Sequence, residues 1–175
     1  KTTFDAGLPK VNWQLIVEPP VAAGGLDTAR IALQHTPYTL EYYAKSAWTD
    51  NAPAMVQTLI VASFERSGAI VAVGRETVGL RPDYMLKTEL REFQAVYYDG
   101  DGKIPKIVVR INAKLVEMPT RRIIANRTIL KEEKAASGDF KDIIDAFDIA
   151  LGRALKEIVT FALTSPGHTQ QPTAE

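Results

Sequence analysis

Residues 84–129 constrain the fold of this chain more than any other stretch. Leu86 and Leu90 alternate with Lys87 and Glu89, which is the two-residue period of a strand with one buried face. The same period returns after each of two turns, so the stretch predicts three long strands in an antiparallel meander. The other elements must then be arranged around these strands.

The first strand of the meander changes its pattern in the middle. After Arg91 the apolar positions move to Phe93, Ala95 and Tyr97, which have the opposite parity. A parity switch without a break predicts a β-bulge, or a strand whose second half leaves the sheet and faces another surface. The Asp and Gly residues at positions 99–102 tolerate positive φ and predict the turn that follows.

Two further strands complete the meander. The second carries an apolar side chain at every other position of residues 109–115. A turn at residues 118–120 leads to the third strand, which is expected at residues 122–130. An antiparallel sheet with one wet face needs a cover on its apolar face, and a C-terminal helix can supply it.

That long amphipathic helix is predicted between Asp139, its cap, and Pro166, which ends it. Apolar side chains recur at three- and four-residue steps and form one continuous stripe. They are Phe140, Ile143, Ile144, Phe147, Leu151, Ala154, Leu155, Ile158 and Ala162.

The first half of the chain predicts short strands and one helix. Strands are expected at residues 11–17, 30–35, 38–43 and 69–73. The helix precedes the last of these strands, and Thr49, Asp50 and Asn51 are each candidates for its N-cap. Pro53 suits its first turn, and Gly68 suits its C-terminal end. A strand, a helix and a strand in this order favour a parallel crossover. The predicted fold class is therefore α+β: two layers, with a mixed, largely antiparallel sheet and two helices, the C-terminal one long.

Length and composition fit one globular domain, expected at residues 11–163 between an extended lead-in at 1–10 and a flexible tail at 164–175. The formal net charge is zero, from 21 basic and 21 acidic residues, which argues against a broad electrostatic footprint for nucleic acid or anionic lipid and is compatible with a local charged patch. Nucleic acid is therefore not expected as a partner. The absence of cysteine excludes thiolate catalysis and cysteine-ligated metals. No apolar run approaches the roughly 18 residues of a membrane span.

No catalytic or metal-binding constellation stands out, so we predict no catalytic residue, no metal and no cofactor. His35 and His168 lack further ligands at suitable spacing and are interpreted as surface groups. Asp142, Asp145 and Asp148 form an acidic row, either a docking face or, more simply, a solvated helix face.

A basic group near the second turn leaves a similar choice. Arg121, Arg122 and Arg127 could favour phosphate groups, and the simpler interpretation is a wet strand face.

An aromatic cluster is the main candidate for a functional surface. Tyr38, Tyr42, Tyr43 and Trp48 fall within eleven residues beside the start of the first helix. Amphipathic aromatics are enriched at surfaces that contact partners, so the cluster is a candidate partner- or lipid-binding site. The alternative is structural, with Trp48 fixing the helix entrance and Tyr42 packing in the core.

Several blocks, in order along the chain, resemble the ABC-type transport auxiliary lipoproteins. The resemblance covers about residues 3–163 and rests on the order and spacing of the blocks together. The blocks are Tyr-Tyr-Ala at 42–44, Trp-Thr-Asp-Asn-Ala-Pro at 48–53, Val-Gln at 56–57, Ser-Gly at 67–68, Val-Gly-Arg at 73–75, Asp-Tyr-Met-Leu-Lys-Thr-Glu-Leu-Arg-Glu-Phe at 83–93 and Ala-Phe-Asp-Ile-Ala-Leu-Gly at 146–152.

The resemblance implies a periplasmic lipoprotein of the bacterial envelope, anchored in the outer membrane. It implies as partners an MCE-type protein with an ABC permease and ATPase, which move phospholipid or other hydrophobic molecules between the two membranes. The family's lipid-bearing cysteine is expected upstream of Lys1. The family supplies no catalytic residues, in agreement with the search above, and a homo-oligomer is a further expectation.

Three hypotheses follow. The leading one is a non-enzymatic accessory subunit that docks on an MCE-type component. The second is a periplasmic carrier that binds lipid in an apolar pocket between helix and sheet. The third is a hydrolase with an unrecognised site, for which convergent polar side chains in a cleft would be needed.

Overall fold

A single sheet with two helices on one face forms the protein. The computed structural model describes residue 4 and residues 7–75 and 81–168. The helices and strands, in chain order, are β1 (Val11–Val17), β2 (Val21–Ala22), β3 (Arg30–Gln34), β4 (Glu41–Ala47), α1 (Ala52–Ser67), β5 (Ile70–Gly74), β6 (Tyr84–Val96), β7 (Lys106–Glu117), β8 (Arg122–Lys134) and α2 (Phe140–Thr164), followed by a 3-10 turn (Ser165–His168). The predicted α+β class, with a mixed sheet, two helices and a long last helix, is confirmed.

The predicted meander is formed by β6, β7 and β8. β6 pairs antiparallel with β7 along almost its whole length, and β7 pairs in the same way with β8. The register of the first pair shifts between Leu90 and Glu92. This bulge accounts for the parity switch after Arg91, because it turns Phe93 to the same side of the sheet as Leu90. Both side chains are buried.

Three short strands share the other edge of β6. β1, β2 and β3 all run parallel to it, with Val17 opposite Leu86, Ala22 opposite Leu90 and Ala32 opposite Gln94. The first part of the chain thus pairs with β6 through three successive strands. β4 then adds antiparallel to β3, and β5 adds parallel to β1.

The structure corrects two expectations in this half of the chain. The third strand begins at Glu41 and ends at Ala47, so Tyr38 lies in the preceding turn. The hydroxyls of Thr36 and Thr39 hydrogen-bond at 2.7 Å within that turn. The crossover prediction is also wrong, because β4 is antiparallel to β3, whereas β3, β6, β1 and β5 are parallel to one another, so β4 and β5 run in opposite directions. α1 carries the chain from β4, which lies on the outer side of β3, to β5, which lies on the outer side of β1.

The two helices follow their sequence signals. α1 starts after Asn51, has Pro53 in its first turn and ends at Gly68, whose φ of 59° is in the left-handed region favoured by glycine. The Asn51 side chain makes no capping bond in this structure, and its amide reaches the Asp27 carboxylate at 3.5 Å. α2 starts after Asp139 as predicted and continues to Thr164.

α2 places its apolar stripe on β7 and β8 and beside α1. The stripe predicted from the sequence is buried except at Phe140 and Ile144. Its buried members are Ile143, Phe147, Leu151, Ala154, Leu155, Ile158 and Ala162. Burial of each large aliphatic or aromatic side chain contributes about 1.5–3 kcal/mol, so this contact holds the two layers together.

The predicted ends of the domain fall partly outside the described residues. Residues 1–3 and 5–6 of the lead-in and residues 169–175 of the tail are not among them. Within the tail, Thr164 still belongs to α2 and Ser165–His168 form the 3-10 turn. In the described part of the chain, no helix is both long and apolar enough to cross a membrane.

Thr88 places a polar atom in the core. Its side chain, on the helix-covered face of β6, is 5% exposed, and its hydroxyl oxygen has no hydrogen-bond partner among the described residues. A buried polar group without a partner costs free energy of folding, whereas an apolar group of the same shape does not.

We therefore expect Thr88→Val to raise the free energy of unfolding by about 1 kcal/mol, measured by chemical denaturation. Thr128→Val is the matched control, because the Thr128 hydroxyl accepts a hydrogen bond from the Asn112 amide at 3.0 Å. That substitution should not stabilise the protein. Equal effects of the two changes would contradict the assignment.

Candidate functional site

The four aromatics predicted to form one surface are divided by the fold. Tyr42 and Tyr43 are neighbours in β4, and successive side chains of a strand point to opposite faces. Tyr38 lies in the turn before β4, and Trp48 lies just beyond its end. Their closeness in sequence therefore does not produce a shared surface.

Trp48 belongs to the interior between the helices and the sheet. Its ring stacks on Phe93 of β6 at 5.1 Å between centroids and meets Phe147 of α2 edge-on at 5.2 Å. Phe93 and Phe147 also contact each other, at 5.2 Å. Each such pair adds about 0.5–1.5 kcal/mol beyond burial, so Trp48 joins the start of α1 to both layers.

Tyr43 faces the same side of the sheet as Trp48. Its hydroxyl hydrogen-bonds with that of Tyr97 at 2.8 Å, and its ring meets Phe140 at 5.4 Å. Burial, and then the hydrogen bond with Tyr97, raise the pKa of the Tyr43 phenol far above its usual 10.0. Tyr43 thus holds the start of α2 against the edge of the sheet.

Tyr42 faces away from the helices and fixes a loop. Its hydroxyl donates to the carbonyl of Gly25 at 2.8 Å, and the Arg30 guanidinium lies 3.9 Å above its ring. Gly25 has a φ of 82°, and a Cβ there would come within 2.6 Å of Leu40. The positive φ at position 25 requires glycine, and the hydrogen bond from Tyr42 holds this loop in place. Tyr42 therefore has a structural role.

Tyr38 is the member of the four that is presented to solvent, at 95% exposure. It borders a shallow depression of about 270 Å³, which we call the aromatic groove. Tyr98, 45% exposed, lines the same groove together with Leu40, Glu92 and Gln94. Two exposed tyrosines with a polar floor are typical of a protein-contact surface.

A second depression lies near the other end of β6, on the face of the sheet opposite the helices. We call this face of the sheet the open face. The depression has a volume of about 530 Å³, and we call it the basic groove. Sequence reasoning missed it, because its lining comes from the end of β1, from β6 and β7, from the turn before β8 and from the start of β8. The lining residues are Glu18, Met85, Lys87, Lys114, Val116, Met118, Arg121 and Ile123.

The arginines considered together in the sequence are separated by the fold. Arg121 lines the basic groove, at a φ of 56° in the turn between β7 and β8. Arg122 lies 3.5 Å from the Glu117 carboxylate. Arg127 lies over the Phe161 ring at 5.3 Å and 3.9 Å from Glu157. Only Arg121 of the three lines this groove.

The remaining polar candidates have local explanations. His35 hydrogen-bonds Glu41 at 3.0 Å and stacks on Tyr97. In the acidic row of α2, Asp142 accepts a hydrogen bond from Ser137 and Asp145 pairs with Lys141. Among the described residues, no three His, Cys, Asp or Glu side chains are grouped closely enough to hold a metal ion.

The interior between α2 and the sheet bears on the carrier hypothesis. Its centre is occupied by fully buried side chains in mutual contact, Phe93 and Phe147 among them. Both grooves described above open elsewhere on the molecule. The centre of this layer therefore gives no support to a lipid pocket there.

Comparison with known families identifies the family of this chain. The model of the family described as "ABC-type transport auxiliary lipoprotein component" matches residues 2–159. The chain belongs to this family. The family description names a lipoprotein component, so membership indicates a location in the cell envelope.

Solved structures support the same assignment. Protein XCC0632 of Xanthomonas campestris, from family DUF330, is 32% identical, with a TM-score of 0.91 over 98% of this chain and 95% of that one. PelC of Paraburkholderia phytofirmans, solved as a dodecamer, is 11% identical with a TM-score of 0.51, over 89% of this chain and 93% of that one. At that identity the likeness to PelC concerns the fold alone.

A curated relative is an uncharacterised protein of Bradyrhizobium diazoefficiens. It is 25% identical over 167 residues, which are 91% of this chain and 44% of that protein. The chain thus spans less than half the length of this relative.

The two ends of the aromatic cluster should respond differently to truncation. We expect Trp48→Ala to lower the free energy of unfolding by about 3 kcal/mol, because it removes a ring packed on two others. Tyr38→Ala should change it by less than about 0.5 kcal/mol, since this side chain is exposed. Denaturation curves of both variants test the expectation, which similar losses would contradict.

Tyr43 predicts a loss of stability in alkali. Its pKa is raised by folding, so the folded state favours the neutral phenol. The stabilisation is complete below the unfolded-state pKa, about 10, and declines as the pH rises above it. The free energy of unfolding of the wild type should exceed that of Tyr43→Phe by a margin that shrinks between about pH 9 and pH 11, because this range brackets the unfolded-state pKa. A margin that stays constant over this range would contradict the predicted direction.

Proposed function

We propose that this protein is a non-enzymatic accessory lipoprotein of the periplasm, serving an MCE-type ABC transporter that moves lipids or other hydrophobic molecules between the inner and outer membranes. An N-terminal lipid, attached upstream of the sequence described, would anchor it in the outer membrane. The observation that carries the proposal is the family match over residues 2–159.

The aromatic groove is the proposed contact with the transporter. Binding would bury the ring of Tyr38, which is almost fully exposed in the free protein, and Tyr98 lines the same groove. Tyrosine is enriched among the residues that dominate binding energy in protein interfaces. Of the four aromatics predicted from the sequence, we therefore assign partner contact to Tyr38 and a structural role to Tyr42, Tyr43 and Trp48.

Self-association is part of the proposal. The PelC chains, which have this fold, were solved as a dodecamer. β8 forms one end of the sheet, and a strand with an unpaired edge can accept another chain. Light scattering of the purified protein measures the subunit number directly, and a monomer at all concentrations would remove this part.

Purification from the native envelope tests the central proposal. The full-length lipoprotein with its own anchor is used to recover partners from detergent-solubilised membranes. We expect an MCE-type protein together with its permease and ATPase. Failure to enrich these three proteins over an unrelated anchored lipoprotein would overturn the assignment to the transporter.

The aromatic contact is tested in the same experiment. Tyr38→Ala combined with Tyr98→Ala should reduce recovery of the transporter by at least about tenfold, since interface tyrosines commonly contribute more than 1.4 kcal/mol. Ile149→Ala is the matched control, because it removes a partly exposed apolar side chain from α2. Undiminished recovery with the double variant would place the contact elsewhere on the protein.

A further inference from the structure

The charges of the open face are mostly neutralised in pairs. Lys87 lies 2.9 Å from Glu18, and Arg91 lies 2.8 Å from Glu89. Arg110 pairs in the same way with Glu92 of the neighbouring strand. This pattern makes any cation on the face that lacks an acidic neighbour a candidate for binding an anion.

Lys114 and Arg121 are two such cations. Neither has an acidic group within 4 Å among the residues that the structure describes. Lys114 lies directly opposite Lys87 in the pairing of β6 with β7, and Glu18 is paired with Lys87. The charges of Lys114 and Arg121 are therefore the ones available to an anion in the groove.

The charge is local and is not a property of the whole chain. The basic groove is lined by the cations Lys87, Lys114 and Arg121 and by one anion, Glu18, which gives a net charge of +2. The whole sequence has a formal net charge of zero. A concave site lined by one sign of charge concentrates counter-ions, so the groove is suited to an anionic ligand.

The same groove has an apolar part. Met85, Met118, Val116 and Ile123 line it beside the cations, and Ile123 is 54% exposed. Methionine side chains adapt to irregular apolar surfaces, which suits flexible hydrocarbon. Cations next to exposed apolar side chains match a molecule with an anionic head and an apolar chain.

We propose that the basic groove binds an anionic lipid, with its phosphate at Lys114 and Arg121 and the beginning of its acyl chain along Met85, Met118, Val116 and Ile123. The groove volume of about 530 Å³ is in the range of small-molecule sites, roughly 300–1,000 Å³. The biological meaning rests on the proposed function, in which lipid is the transported class. The binding itself can be measured without the transporter.

An acidic peptide is the less suitable occupant. β6 and β7 are both paired on each side where they line the groove, so an extended peptide cannot add to them as a new strand. It would have to bind through side chains alone on the floor of a sheet. A headgroup needs only the two cations and the apolar residues beside them.

Methionine methyl groups provide a direct test in the wild-type protein. The chain has three methionines, of which Met85 and Met118 line the groove and Met55 lies in α1. With 13C-methyl-methionine labelling, dihexanoyl phosphatidylglycerol added below its micelle concentration should shift Met85 and Met118 and leave Met55 unchanged. Shifts of Met55 alone, or of no methionine, would overturn the proposal.

Three further probes identify the ligand chemistry. Dihexanoyl phosphatidylcholine, whose phosphate is compensated by a choline cation, should bind at least about tenfold more weakly, because that cation would lie beside the cations of the groove. Inorganic phosphate should shift the two methyl groups only at much higher concentration. Equal affinity for phosphatidylcholine would overturn the preference for an anionic head, and equal affinity for inorganic phosphate, or displacement of the lipid by an equimolar acidic peptide, would overturn the lipid assignment.

Paired substitutions test the cations. Lys114→Gln with Arg121→Asn should weaken phosphatidylglycerol binding by at least about tenfold, and asparagine is chosen because it tolerates the positive φ of position 121. Lys45→Gln with Arg122→Gln removes the same charge from exposed sites outside the groove and should leave the affinity unchanged. Equal loss in both pairs would mean non-specific attraction and would contradict the site.

This inference and the proposed function can fail separately. If phosphatidylglycerol does not bind in the groove while the transporter is recovered from the envelope, only the lipid site is lost. If the lipid binds as described while no transporter is recovered, the site stands and the accessory role is lost.

Discussion

The backbone of β6 is the constraint on which the rest of the structure depends. It is 13 residues long and lies inside the sheet, so the N–H and C=O groups on both of its edges need partners. A hairpin to β7 satisfies one edge. The other edge is satisfied by β1, β2 and β3 in succession, which is why the first part of the chain must run parallel to a strand formed much later in the sequence.

The bulge in β6 connects this pairing to the packing of the helices. Because the register shifts between Leu90 and Glu92, Phe93 is directed to the covered face, where it meets Trp48 and Phe147. These three rings join the strand, the approach to α1 and the first half of α2. One irregularity in backbone pairing thus directs Phe93 into the contact between the sheet and the elements that cover it.

Local periodicity was sufficient for the long elements and insufficient for the sites. β1, the meander and α2 are each determined by the spacing of apolar residues within one segment, so they could be predicted. The interpretation of residues 38–43 as a strand is confirmed at residues 41–43 and wrong at residues 38–40, because the turn at Thr36 and Thr39 keeps Tyr38 outside the sheet. Alternation in β4 then directs Tyr42 and Tyr43 to opposite faces, so clustering in sequence did not become clustering in space.

The basic groove could not be predicted for a related reason. Glu18 and Arg121, which line it together, are about a hundred residues apart in sequence, and only the parallel placement of β1 beside β6 brings them to the same end of the sheet. No local spacing encodes such a site.

The positions of the two grooves have a mechanical consequence. On β6 the two grooves approach each other at Lys87, which lines the basic groove, and Arg91, which lines the aromatic groove. These residues are four steps apart, which is about 13 Å along the strand at about 3.3 Å per residue. A partner held at Tyr38 and Tyr98 and a ligand at Lys114 and Arg121 would therefore occupy neighbouring sites along the same strand. Because one continuous strand carries both sites, binding at one end would hold the other in a fixed orientation, as a subunit that presents lipid to a transporter requires.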